Sequence, residues 1–162
     1  MLQLRILPTV AALLLIGLAG CASDDFQHGT TFDPLTAFPA RATFAWDDAA
    51  NSLPEDARLG ALDLDAIVKQ VAAEQFGAKG YTEAKTGAGD YLLSYQIRVN
   101  TWIGAEESVA MGSLSLLLVE PASRRRVWTG FARADVDVSL SRAERAQRLG
   151  AVMQTLLEEF PP

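Results

Sequence analysis

The chain has 162 residues and a net charge of −6, which leaves room for one ordinary domain and no second core. An acidic balance argues against a nucleic-acid partner, since such proteins carry a basic stripe and a high pI. Hydrophobic residues make up 49%, but much of that excess precedes residue 21, and the remainder has an average globular composition.

The N-terminus reads as a targeting segment. Arg5 supplies a positive charge, Ile6 to Gly17 is almost wholly apolar, and Leu18, Ala19 and Gly20 lead into the single cysteine, Cys21. This is the three-part layout of a secretory signal, and the apolar run is shorter than the ~20 residues of a spanning helix. "LAGC" resembles the lipobox of bacterial lipoproteins. It implies a signal peptide over residues 1–20, removed just ahead of Cys21, and acyl chains such as palmitate on the mature N-terminus. Each buried methylene adds ~0.8 kcal/mol, so two or three chains hold a protein stably at a membrane. Ala22 stands directly after the cysteine, where an aspartate would favour the inner membrane. The expected location is therefore the outer membrane, facing the periplasm.

Residues 22–40 hold Gly29, Pro34, Pro39 and the only histidine, His28, with no sustained period. They are expected to form a flexible tether with an r.m.s. span on the order of 25 Å. The boundaries predicted are therefore a signal over 1–20, a lipidated tether over 21–40 and a single domain over 41–162.

The domain opens on "RATFAW", where Ala42, Phe44 and Trp46 alternate as in a half-buried strand. Leu64, Ile67, Val68, Val71, Ala72 and Phe76 recur at helical spacing, with Gly77 as the expected stop. "YLLSYQIRVNTWIG" sends Tyr91, Leu93, Tyr95, Ile97, Val99 and Ile103 to one side. Ser94, Gln96, Arg98 and Asn100 go to the other, with Trp102 continuing that polar stripe. Leu114, Leu116 and Leu118 alternate with serines in the next strand, and "VWTGFARADVDV" makes another whose Gly130 allows a bulge or the close approach of a neighbour. Ser141 and Glu144 form a capping box ahead of a helix striped by Leu149, Val152, Met153, Leu156, Leu157 and Phe160. Strand, helix, strands, helix predicts an α+β two-layer sandwich: an antiparallel sheet of four to five strands with two helices packed on one face.

"TFAW", "AKGY", "GDYLLSYQIRV", "GSLSLLLVEPASRRRVWTGFA" and the last helix together resemble the bacterial lipoproteins of domain of unknown function 4136, over roughly residues 41 to 160. The family's motif positions correspond to Ala78, Lys79, Gly80, Tyr81, Trp128 and Gly130. Three arginines in the last hairpin depart from its pattern. The resemblance implies a fold and a location, not an activity.

Chemistry is sparse. Beyond residue 40 the chain has neither histidine nor thiol, which removes the common nucleophile–base arrangements. "GAKGYTEAKTGAGD" never completes a phosphate loop. Asp135 and Asp137 lie two apart and would share a strand face, as edge-strand solvation or as a Ca²⁺ or acid/base pair. Arg124, Arg125 and Arg126 occupy a turn, as solvated charge or as a contact for anionic head groups. No catalytic residue, metal site or cofactor is expected, and no enzyme. The chain is read as a lipid-anchored interaction or accessory protein of the cell envelope. Its anchor would meet the membrane, and an envelope protein partner would meet the stripe Ser94, Gln96, Arg98, Asn100 and Trp102. The alternative is a module for a small or lipidic ligand held between sheet and helices, which needs an apolar cavity.

Overall fold

The computed structural model describes residues 26–59, 62–85, 88–103 and 108–161, excepting the side chains at 102, 103 and 108. Six strands, β1 (Phe26–Phe32), β2 (Ala42–Trp46), β3 (Tyr81–Glu83), β4 (Tyr91–Ile103), β5 (Ser108–Val119) and β6 (Arg126–Asp135), form one sheet. Helices α1 (Leu64–Ala78) and α2 (Arg142–Glu158) pack together on one of its faces. The α+β two-layer sandwich is as expected, with six strands where four to five were read.

The strand order is β1-β6-β5-β4-β2-β3. β1, β6, β5 and β4 pair antiparallel, whereas β2 lies parallel to both β3 and β4, so the sheet is mixed and the expected all-antiparallel sheet is corrected. A strand, the helix α1 and a returning strand make a crossover unit, and crossovers join parallel neighbours. The connection from β3 to β4 then passes β2 so closely that any side chain at Gly89 would strike the backbone of Phe44 and Ala45.

The flexible tether is corrected most. Residues 26–32 are a strand against β6, with Phe26 opposite Ala134 and Phe32 opposite Trp128. Asp33 N–H continues the ladder to the Val127 carbonyl, and Phe38 packs on Tyr91 and Phe160. The folded domain thus begins at residue 26. Gly29 and paired threonines hide the alternation in the sequence, but an open edge on β6 would leave a row of backbone groups unpaired. His28 is consequently no linker residue: it sits in β1 with Nε2 3.3 Å from Glu159 Oε1 beyond the end of α2.

Helix boundaries follow the caps. Asp63 accepts from Ala66 N–H at the start of α1, and the expected stop at Gly77 moves to Gly80, whose φ of +85° only glycine adopts without strain. Ser141 and Glu144 close the capping box on α2. Between the layers, Phe44, Phe76, Tyr81, Tyr95, Trp128, Met153, Leu156 and Phe160 are all buried. Phe160 meets Phe38, Phe76, Tyr81 and Trp128 through edge-on rings.

Candidate interaction surface on the open sheet face

With both helices on one side, the opposite face of the sheet is open, and the registers decide what stands there. Gln96 of β4 lies beside Ser115 of β5, and Arg98 beside Ser113. Ser115 in turn lies beside Phe131 of β6, and Ser113 beside Arg133. Two cross-strand rows result: Gln96–Ser115–Phe131 and Arg98–Ser113–Arg133. They enclose a shallow notch of about 260 Å³.

The stripe read from the sequence is partly brought together. Gln96 is half-buried while Arg98 and Asn100 are exposed. Ser94 is the exception, at 7% exposure, and is corrected from a contact residue to a covered one. The segment after β2 runs along the edge of β4: Ser52 donates to the Tyr95 carbonyl and accepts from Ile97 N–H, and Asn51 Oδ1 accepts from Tyr95 N–H. Trp102 lies in β4 opposite Val109, and its side chain lies outside the described residues, as does all of Cys21.

Ser113, Ser115, Phe131 and Arg133 were missed, although alternation assigns each to a side. Inter-strand register is what brings them beside Gln96 and Arg98, and a single sequence does not display it. Phe131 is 41% exposed, and its ring lies over Gly29 so closely that a Cβ there would sit 2.9 Å from it. The ring is therefore a flat wall of the notch. Neither Arg98 nor Arg133 has an ion pair or side-chain hydrogen bond among the described residues. Arg41, Arg126 and Arg142 share this among the described residues, whereas Arg58 pairs with Asp56, Arg124 with Asp47, and Arg125 with Asp33 and Glu120; Arg98 and Arg133 are set apart by standing in one row of the notch. The arginine turn is thus largely tied to the domain's own carboxylates.

A second cavity opens on the helix side. A cleft of about 130 Å³ lies between α2 and the far halves of β4 to β6, lined by Leu62, Leu64, Ile97, Val99, Leu149 and Val152 among others. Arg145 lines its wall and donates from Nη1 to the Arg58 carbonyl at 2.5 Å. Near its other rim Asp137 accepts from the amide and hydroxyl of Ser139, which holds its carboxyl below the ordinary range. Among the described residues no three His, Cys, Asp or Glu side chains gather where a metal ion would sit, and no helix is long and apolar enough to cross a membrane.

The family-motif positions hold the fold together. Lys79 Nζ donates to the carbonyls of Glu158 and Phe160 at the end of α2, and Tyr81 donates to the Pro39 carbonyl at 2.8 Å. Burial pushes the Tyr81 hydroxyl up to about 12. Between the layers, Tyr95 donates to Asp65 at 2.5 Å. That bond first, with Lys69 beside it, holds the Asp65 carboxyl below its ordinary range, and burial first pushes Tyr95 up.

The family model described as "Domain of unknown function (DUF4136)" matches residues 28–162. Among solved structures, the PelC dodecamer from Paraburkholderia phytofirmans is similar at 13% identity and a TM-score of 0.52, over 82% of this chain and 95% of that one. A PDZ domain protein from Parabacteroides distasonis is similar at 13% identity and a TM-score of 0.52, over 85% of this chain and 37% of that one. These likenesses are of fold. No curated protein matches the chain.

Proposed function

The chain belongs to the DUF4136 family, and on that footing we propose that it is a lipid-anchored accessory protein of the bacterial cell envelope that binds a partner through the open face of its sheet. Cys21 carries the lipid, and the domain faces the periplasm from the outer membrane. The observation that supports partner binding is the notch. Two arginines without carboxylate partners among the described residues flank it, on a chain whose net charge is −6. A partner presenting an anionic group supplies what the fold leaves out, and such complementarity gives specificity and speeds encounter.

Four residues separate Cys21 from Phe26, so the five steps between their Cα atoms span at most ~18 Å. The domain is held near the lipid surface rather than on a long tether. A second reading, a module for a small or lipidic ligand, draws support from the apolar cleft beside α2.

Two measurements test the proposal. Fatty-acid labelling in cells should mark the wild type and leave Cys21→Ser unlabelled and uncut; equal label on both would remove the anchor. Crosslinking followed by affinity purification should recover an envelope partner with the wild type, and less of it with Arg98→Glu combined with Arg133→Glu. Equal recovery, with thermal unfolding unchanged, would make the open face ordinary solvated surface.

A further inference from the structure

We propose that the notch on the open sheet face binds a phosphorylated sugar, with Arg98 and Arg133 taking the phosphoryl group from its two sides and the sugar ring lying against Phe131. The proposal rests on the open face being the contact surface and names the chemistry that this surface meets.

The charge argument comes from the register. Arg98, Ser113 and Arg133 stand in one cross-strand row, so the two arginine Cα atoms are two strand spacings apart, roughly 10 Å. Two long side chains that start this far apart on one face can close on a single group between them. Like charges without carboxylate partners among the described residues repel each other, and an anion placed between them removes the repulsion. A phosphoryl group brings ~1.5–2 negative charges and three acceptor oxygens. It can therefore accept a paired donation from each guanidinium at once, which a single carboxylate with two oxygens does less completely. Asp135, next along this face from Arg133 and exposed, forms no ion pair with it among the described residues.

The rest of the notch selects what carries the phosphate. Ser113, Ser115 and Gln96 form the floor, and hydroxyls and an amide both donate and accept. A ligand rich in hydroxyls matches them, whereas bare phosphate only accepts. Phe131 adds a flat apolar wall pinned over Gly29, suited to the less polar face of a sugar ring. At about 260 Å³ the notch lies just below the ~300 Å³ lower end of small-molecule pockets. Such a space takes one sugar unit rather than a chain of them.

The experiment is titration calorimetry on the full mature chain in detergent micelles, with glucose 1-phosphate, glucose and inorganic phosphate as probes. Glucose 1-phosphate should bind saturably and at least ~10-fold more tightly than inorganic phosphate, and glucose should bind far more weakly still. Arg98→Gln combined with Arg133→Gln should weaken glucose 1-phosphate by ~10-fold or more, and Phe131→Leu should shrink its advantage over inorganic phosphate to less than ~3-fold. Thermal unfolding is followed for each variant, and Arg98→Lys with Arg133→Lys, which keeps the charge but not the fork, should fall between. No saturable binding up to ~10 mM would overturn the proposal, as would inorganic phosphate binding as tightly as the sugar phosphate, or a double variant that binds like the wild type. Vesicles containing lipid A, against vesicles of phosphatidylethanolamine alone, separate a lipid-borne sugar phosphate from a free one. Saturable glucose 1-phosphate binding with no preference for the lipid A vesicles assigns the free form, and an added preference for lipid A over phosphatidylethanolamine assigns the lipid-borne one. If sugar phosphates fail while Arg98→Glu with Arg133→Glu still lowers crosslinked recovery, the contact surface stands and only its ligand class falls.

Discussion

Gly130 is glycine because the ring of Trp128, two residues earlier on the same strand face, lies across it: an added Cβ would sit 2.6 Å from the indole Cη2. The sequence alone allowed a bulge or a close approach at that position, and the approach is what occurs. The irregularity falls instead at Val127, where the pairing slips from Leu118–Trp128 to Val119–Arg126. Two successive buried residues, Val127 and Trp128, follow from it. A second residue-level link is Tyr95 to Asp65, which leads to a pH dependence. Because the folded Asp65 carboxyl is held below its ordinary range, the bond contributes stability above the unfolded value of ~3.9 and loses it as pH falls through the lower folded value. Tyr95→Phe keeps the ring and removes the donor. It should cost about 1 kcal/mol at pH 7, a charged hydrogen bond discounted because the carboxylate is partly exposed. Urea unfolding from pH 7 to pH 2 should show that difference shrinking below pH 4; a gap that stays constant would mean the hydroxyl acts through packing alone.

At the scale of elements, α2 was the most legible part, because a capping box and an apolar stripe declare both its start and its buried side. Val152, Met153, Leu156 and Leu157 are all buried, with Leu156 fully so. Leu156→Ala should therefore cost about 2–5 kcal/mol in urea unfolding, and a loss below ~0.5 kcal/mol would mean that α2 is not docked. What ends the helix was less visible. Lys79, from the turn after α1, reaches the carbonyls of Glu158 and Phe160, so one helix's end is capped from another element. Only the packing of α1 on α2 brings those groups together. The polar stripe of β4 was likewise readable from alternation, yet alternation assigns sides and not depth. Ser94 lies on the expected side and is still covered, at 7% exposure.

For the whole molecule, the largest revision is where the domain begins. A chain starting at Arg41 would lose β1 and Phe38, and with them the ladder that closes the edge of β6. Compared with one starting at Ala22, it should lose about 2 kcal/mol, the share expected from two partly buried phenylalanines, and should self-associate through the bared edge. Urea unfolding and size-exclusion chromatography check this, and equal midpoints with equal elution would restore the boundary at residue 41. The amino-acid sequence by itself determined the α+β class, the two helices, the inward face of each long strand and the lipobox-like approach to Cys21. These depend on local chemistry: the period of apolar residues, the caps and the run of small side chains before one thiol. Tertiary structure alone decided the mixed strand order, the recruitment of residues 26–32 as an edge strand and the meeting of Arg98 with Ser113 and Arg133. Those depend on register between strands far apart in the chain. A one-residue slip in that register would keep every local pattern intact and still turn the whole row to the other face.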